Sequence, residues 1–140
     1  MKVVNQVVPS AEQMTEFFGS GDDGPFVMVN LLKFKSKAQY ADGRETDLSG
    51  AEAYAIYGAA VQKCIADVGA TAGFSGAVTG LLLGEVEENW DMVALVEYPS
   101  LEAFRSMMMS PEYQKIAVHR SAGLAGQLNI RAKPGALGEA

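Results

Sequence analysis

Apolar residues along the chain change their period several times, and each change predicts an element. Pro9-Ser10 followed by Gln13 has the spacing of a reciprocal helix cap, and Met14, Phe17 and Phe18 give a short helix, about residues 10–18, an apolar face before Gly19 ends it. Residues 19–25, GSGDDGP, carry turn chemistry. Residues 26–35 then read as a buried strand, with Phe26, Met28, Leu32 and Phe34 on one face and Val27, Val29 and Leu31 on the other. The polar segment 36–48, with its Asp42-Gly43 turn, is expected to be an exposed loop or small hairpin. Ser49 and Glu52 repeat the capping spacing, and Tyr54, Tyr57, Val61, Cys64, Ile65 and Val68 recur at helical period until Gly69 stops the run.

Residues 71–85 suit a strand bent at its glycines, 85–91 an acidic turn, and 92–98 the strand that returns from it as a hairpin. Pro99-Ser100 opens a helix bearing Leu101, Phe104 and Met108, and Ser110-Pro111-Glu112 opens another bearing Tyr113, Ile116 and Ala117. Glycines 123 and 126 are expected to break that helix, leaving 127–130 as an edge strand and 132–140 as a mobile tail. After the first helix the order is strand, helix, strand, strand, helix, strand. That is a ferredoxin-like split βαβ of the α+β class, one four-stranded antiparallel sheet with helices on one face, in a single domain over 1–140 with its core at about 26–131. Strands 26–35 and 92–98 are apolar on both sides, so the far face of the sheet is expected to meet a second copy, sheet against sheet, in a homodimer.

Composition narrows the partners. The 140 residues are 49% hydrophobic and 20% charged, as in an ordinary globular domain, and Cys64 stands alone, so no internal disulfide is available. With 11 Lys plus Arg against 17 Asp plus Glu the net charge is -6, which disfavours phosphate backbones and anionic membranes: neither nucleic acid nor membrane is expected as a partner. The uncharged stretch 68–84 is interrupted by Gly69, Gly73, Gly76, Gly80 and Gly84 and does not read as a membrane span. The opening MKVVNQVVPSAEQ lacks the apolar centre of a signal peptide, and a cytoplasmic protein is expected.

The motifs VNLLKFK at 29–35, YADGR at 40–44, SGAEAYAIYG at 49–58, WDMVALVEYPSLEAF at 90–104 and SPEYQKIAVHRSAGLA at 110–125 occur in an order that resembles the domain-of-unknown-function 1330 family, which is grouped with the dimeric α+β barrel proteins. The resemblance covers most of residues 26–130; it implies the barrel fold and dimerisation, and no reaction. The wider group includes monooxygenases that act without a cofactor, lactone isomerases, haem-dependent enzymes and stress-related binding proteins, many with a small-molecule pocket between sheet and helices. The helix at 10–18 looks like an addition to that barrel unit, capping the pocket or lengthening the dimer contact.

Several residues offer chemistry. Arg120 shares a helical stripe with Tyr113, Ile116 and Ala117 and so faces inward. A guanidinium keeps its proton, so out of water it needs a carboxylate, several carbonyls or a bound anion. Two readings stand: a carboxylate or enolate of a small ligand, or a structural pair with Glu97, which alternation puts on the Val93 and Leu95 face of its strand. Asn30 interrupts an apolar face, where its amide serves a ligand carbonyl or a neighbouring backbone or tyrosine. Tyr54 and Tyr57 lie on the inner stripe of their helix, as packing or as pocket hydroxyls. His119 is a general base or haem ligand on one reading and a half-exposed surface residue on the other. Trp90 walls a pocket, or anchors a hairpin end or the dimer seam. One His and one Cys do not make a zinc site, and Glu85, Glu87, Glu88 and Asp91 do not have calcium-loop spacing, so no metal or cofactor is expected. The expectation is a homodimer with a small-molecule site lined by Asn30, Tyr54, Tyr57, Trp90 and Arg120, with His119 or Glu97 available for proton transfer on an organic carbonyl or carboxylate compound. The alternative is a structural or ligand-sequestering dimer without catalysis.

Overall fold

A computed structural model describes residues 1–135. Its elements are α1 (Ala11–Phe18), β1 (Phe26–Phe34), α2 (Gly50–Asp67), β2 (Thr71–Ala77), β3 (Met92–Tyr98), α3 (Leu101–Met109), α4 (Pro111–Gly123) and β4 (Leu124–Ala132). The strands form one antiparallel sheet in the order β2-β3-β1-β4, the ferredoxin-like α+β arrangement read from the sequence. Local chemistry sets the helix starts. Both reciprocal caps form, Ser10 with Gln13 and Ser49 with Glu52, and Ser110 caps α4 with Pro111 in its first turn. Gly69, at φ +74°, turns the chain out of α2 in a conformation other residues adopt at a cost.

Register defines the two faces of the sheet. Phe26 lies opposite Tyr98, Met28 opposite Val96 and Asn30 opposite Ala94, while across β4 Asn30 meets Asn129 and Leu32 meets Gln127. Phe26, Met28 and Tyr98 join Tyr57, Val61, Cys64 and Ile65 of α2 and Leu101 and Met107 of α3 in the core, so this is the helix-covered face. Each large side chain buried here contributes roughly 1.5 to 3 kcal/mol. Helix α1 docks at one end of the core through Phe17, whose ring meets those of Phe26 and Phe104 edge-on, each at 6.0 Å. The opposite face carries Val27, Val29, Leu31, Val93, Leu95, Leu128 and Ile130. Its residues in β1 and β3 other than Glu97 are only half-buried.

The structure departs from the sequence reading in three places. Strand β2 ends at Ala77, paired with Met92, because β3 extends no further and cannot partner the glycine-rich residues beyond. Residues 78–91 form a loop that exposes Leu82 and Leu83, turns at Gly84 (φ +92°), and closes through Val78 N–H to the Asp91 carbonyl at 3.0 Å. Strand β4 is longer than expected and follows α4 directly. Gly123 ends the helix as a point of backbone contact, since a Cβ there would collide with the Gly50 carbonyl where α4 crosses α2. Segment 36–48 is a loop, as expected, but not exposed throughout: Ala38 and Tyr40 are buried, and Ala38 N–H to the Leu48 carbonyl and Gln39 N–H to the Ala122 carbonyl, both at 3.0 Å, tie it down. Of the expected tail at 132–140, Ala132 closes β4 and residues 136–140 lie outside the described residues. No helix among the described residues is long and apolar enough to cross a membrane.

Candidate functional site

Residues 111–123 wind so that Arg120, in the last turn of α4, reaches the helix-covered face of the sheet where it is polar. Its Nη2 donates to Gln127 Oε1 at 2.7 Å and to the Val7 carbonyl at 2.8 Å. Gln127 Nε2 in turn donates to Asn30 Oδ1 at 2.9 Å and to Asn129 Oδ1. Asn30 Nδ2 donates onward to the carbonyls of Ala94, at 3.0 Å, and Met28, at 3.3 Å. The chain of donors runs one way, from guanidinium to sheet backbone. Each amide orientation follows from it, because a flipped Gln127 would turn its N–H groups toward the cation. Gln127 is buried, at 7% exposure, so its polar atoms depend on these partners.

The cation in this network has no counter-charge among the described residues. Glu97 is exposed and lies on the opposite face of the sheet, alternating with Val96 and Tyr98 of the core face, so the pair with Arg120 expected as one reading does not form. Neutral oxygens hold one nitrogen of the guanidinium, and its Nε and Nη1 have no acceptor among the described residues. The half-buried charge is thus partly satisfied and electrostatically open.

Tyrosines stand beside it. The rings of Tyr54 and Tyr57, one helical turn apart on α2, are 5.2 Å apart, and the Tyr57 hydroxyl meets that of Tyr113 on α4 at 3.1 Å. Burial pushes the Tyr54 hydroxyl up to about 12, with the positive charge of Arg120 acting the other way. Burial likewise raises Tyr57, helped by Tyr113. Both are therefore neutral near pH 7, and the Tyr54 hydroxyl has no hydrogen-bond partner among the described residues. Of the residues singled out from the sequence, Arg120 and Asn30 are joined through Gln127, and Tyr54 and Tyr57 lie within reach of the Arg120 charge. The arrangement offers a cationic donor beside aromatic walls, which suits an organic anion.

His119 and Trp90 serve elsewhere. His119 Nδ1 lies 2.6 Å from the Tyr40 hydroxyl with the rings edge-on, and Arg44 covers the Tyr40 ring at 4.5 Å while its head pairs with Asp42. The imidazole is thus half-buried and fastened to the 36–48 loop, not to the Arg120 cluster. An open hollow of about 650 Å³ lies along that loop, lined by Lys37, Tyr40, Arg44 and Asp47 among others. None of its lining residues belongs to the Arg120–Gln127–Asn30 donor chain. Trp90 Nε1 donates to Asn5 Oδ1 at 2.8 Å, anchoring the chain before α1. Sequence reasoning missed Gln127, Asn129 and the Val7 carbonyl. The first two carried a signal, polar residues alternating on β4, whereas a backbone carbonyl carries none. No cluster of His, Cys, Asp and Glu among the described residues is arranged to hold a metal ion.

The family model for a domain of unknown function, DUF1330, matches residues 30–132. A protein of unknown function from Rhodopseudomonas palustris has a crystal structure similar to this chain at TM-score 0.85 and 32% identity, covering 95% of this chain and 99% of that one. The methylated form of that protein aligns at TM-score 0.86 and 35% identity over 98% of this chain and all of its own, 100%. A dimeric protein of unknown function and ferredoxin-like fold from Bacteroides fragilis aligns at TM-score 0.47 and 12% identity, over 79% of this chain and 96% of its own, too remote to bear on assembly or site. No curated protein matches the chain.

Proposed function

The chain belongs to the DUF1330 family, whose function is unknown, and from its geometry we propose that it is a homodimeric protein that binds a small organic carboxylate or enolate at Arg120. The observation that carries the proposal is the guanidinium held in place by Gln127 and Val7, with no counter-ion and no acceptor for Nε and Nη1 among the described residues. A carboxylate ligand supplies the missing charge and accepts from those donors, while Tyr54 and Tyr57 pack against its organic part and Asn30 fixes the Gln127 amide. Binding without catalysis is favoured over proton transfer. Glu97 is on the far face of the sheet and His119 is engaged by Tyr40, so neither proton-transfer candidate is positioned as a base beside Arg120. The uncovered apolar face around Val29, Leu31, Val93 and Leu95 supports the pairing of two sheets.

A thermal-shift panel of small carboxylates, phenols and lactones, with haemin included, tests the proposal. A ligand at about 100 times its dissociation constant adds roughly 2.7 kcal/mol, and a shift of several degrees confined to carboxylates and lost in Arg120→Leu is the expected result. Shifts from phenols or haemin that survive the substitution contradict it. Light scattering at micromolar concentration should give twice the 14.9 kDa of one chain; a clean monomer refutes the dimer.

A further inference from the structure

We infer that residues 5–8 are a strap over the Arg120 cluster, latched by Trp90, that must lift to admit the ligand. The inference rests on the carboxylate-binding reading above and adds how that site is entered. Three polar contacts hold the strap: Trp90 Nε1 to Asn5 Oδ1 at 2.8 Å, Gln6 N–H to the Gln127 carbonyl at 3.2 Å, and Arg120 Nη2 to the Val7 carbonyl at 2.8 Å. Hydrophobic burial contributes little. Val3, Val4 and Val8 are exposed, and Gln6 makes a single bridge to β4 without extending it into a ladder. The bed is shaped for the strap: Gly126 lies beneath Asn5, and a Cβ there would approach Asn5 Cβ to 2.6 Å.

These features distinguish a strap from a fixed fifth strand. A structural edge strand gains from several ladder bonds and a buried face, whereas each contact here is a single polar link that water or a ligand can replace. A carboxylate that binds a guanidinium through two N–H groups needs Nη2 beside Nε or Nη1, and the Val7 carbonyl takes an N–H of Nη2, so ligand and strap share Arg120. Trp90, the one tryptophan of the chain, sits at the latch and reports on its state.

The test locks the strap. Asn5→Cys with Gly126→Cys places two thiols at the point of closest approach; a disulfide needs a Cβ separation of roughly 3.5 to 4.5 Å, which an outward shift of the exposed strap supplies. Cys64 is buried and stays out of the exchange. Benzoate is the probe. Oxidation should slow its association at least tenfold, and reduction should restore it; equal association in both states overturns the gate. Amide exchange at Gln6 provides a readout that needs no ligand. It should be at least tenfold slower in the oxidised form and severalfold faster in Asn5→Ala than in wild type, where Trp90 emission should also shift to the red. Exchange and emission indifferent to all three states overturn the strap. Failure of benzoate to bind wild type, with the exchange differences present, overturns the carboxylate reading and leaves the opening of the strap standing.

Discussion

Replacing Arg120 with leucine separates an ion pair from an open cation by its cost. Loss of the guanidinium removes two charge-assisted hydrogen bonds, but the two acceptors fare differently. The Val7 carbonyl, in a half-buried residue at the edge, takes water instead. Gln127 Oε1, in a side chain 7% exposed, is left without a donor, and an orphaned buried acceptor costs about 1 to 3 kcal/mol. Removing a half-buried charge that has no counter-ion among the described residues offsets part of that loss, so the expected net destabilisation is about 1 to 2 kcal/mol. At this chain length that lowers Tm by roughly 3 to 7 °C. Had Glu97 been the partner, the stranded carboxylate would have cost about 3 to 5 kcal/mol. Urea and thermal denaturation of Arg120→Leu, Glu97→Gln, Gln127→Leu and the two doubles containing Arg120→Leu, at one protein concentration, make the comparison. Arg120→Leu and Glu97→Gln should add within about 0.5 kcal/mol, whereas Arg120→Leu and Gln127→Leu should show a coupling of about 0.5 to 2 kcal/mol. A loss of 3 kcal/mol or more in Arg120→Leu together with coupling to Glu97 refutes the reasoning.

Further outcomes follow from neighbouring parts of the fold. Because burial raises the Tyr54 hydroxyl to about 12 and raises Tyr57 as well, their contribution is present in full below the unfolded tyrosine value near 10 and is lost as pH rises above it. Stability measured by urea titration should therefore be level in these groups up to about pH 9 and fall from about pH 10 to 12, with a shallower fall in Tyr54→Phe. Gly123→Val should cost more than about 3 kcal/mol, or prevent folding, because its Cβ collides with the Gly50 carbonyl at the α2–α4 crossing; a soluble variant with wild-type Tm contradicts that packing. Tyr40→Phe removes the hydroxyl that meets His119 and should cost about 0.5 to 1.5 kcal/mol while leaving carboxylate binding unchanged, as titration of the variant would show.

The elements that could be read directly are those decided within a few residues. Ser10, Ser49 and Ser110 cap their helices because the acceptor and the free N–H groups lie three positions apart, whatever surrounds them. Alternation likewise placed Asn30 among Phe26, Met28 and Leu32, and helical period turned Arg120 inward. Alternation does not say which face of a strand the helices cover when both are apolar, as in β1 and β3. That choice is made by α2 and α3 packing on Phe26, Met28 and Tyr98, and it separated Glu97 from Arg120. The leucines at 81–83 resemble a strand by composition, yet no strand edge lies opposite them, so pairing rather than propensity ended β2. Contacts such as Val7 to Arg120 and Asn5 to Trp90 join residues far apart in the chain through a carbonyl and a short amide, which leave no local pattern.

The most direct test of an Arg120-centred carboxylate site is a calorimetric titration of benzoate and of its neutral isostere benzamide into wild-type protein and into Arg120→Leu. One site per protomer should bind benzoate at least tenfold more tightly than benzamide, and the preference should vanish in Arg120→Leu while its fold remains intact. Equal affinity for the charged and neutral compounds, or a benzoate affinity unchanged by the substitution, would contradict the account.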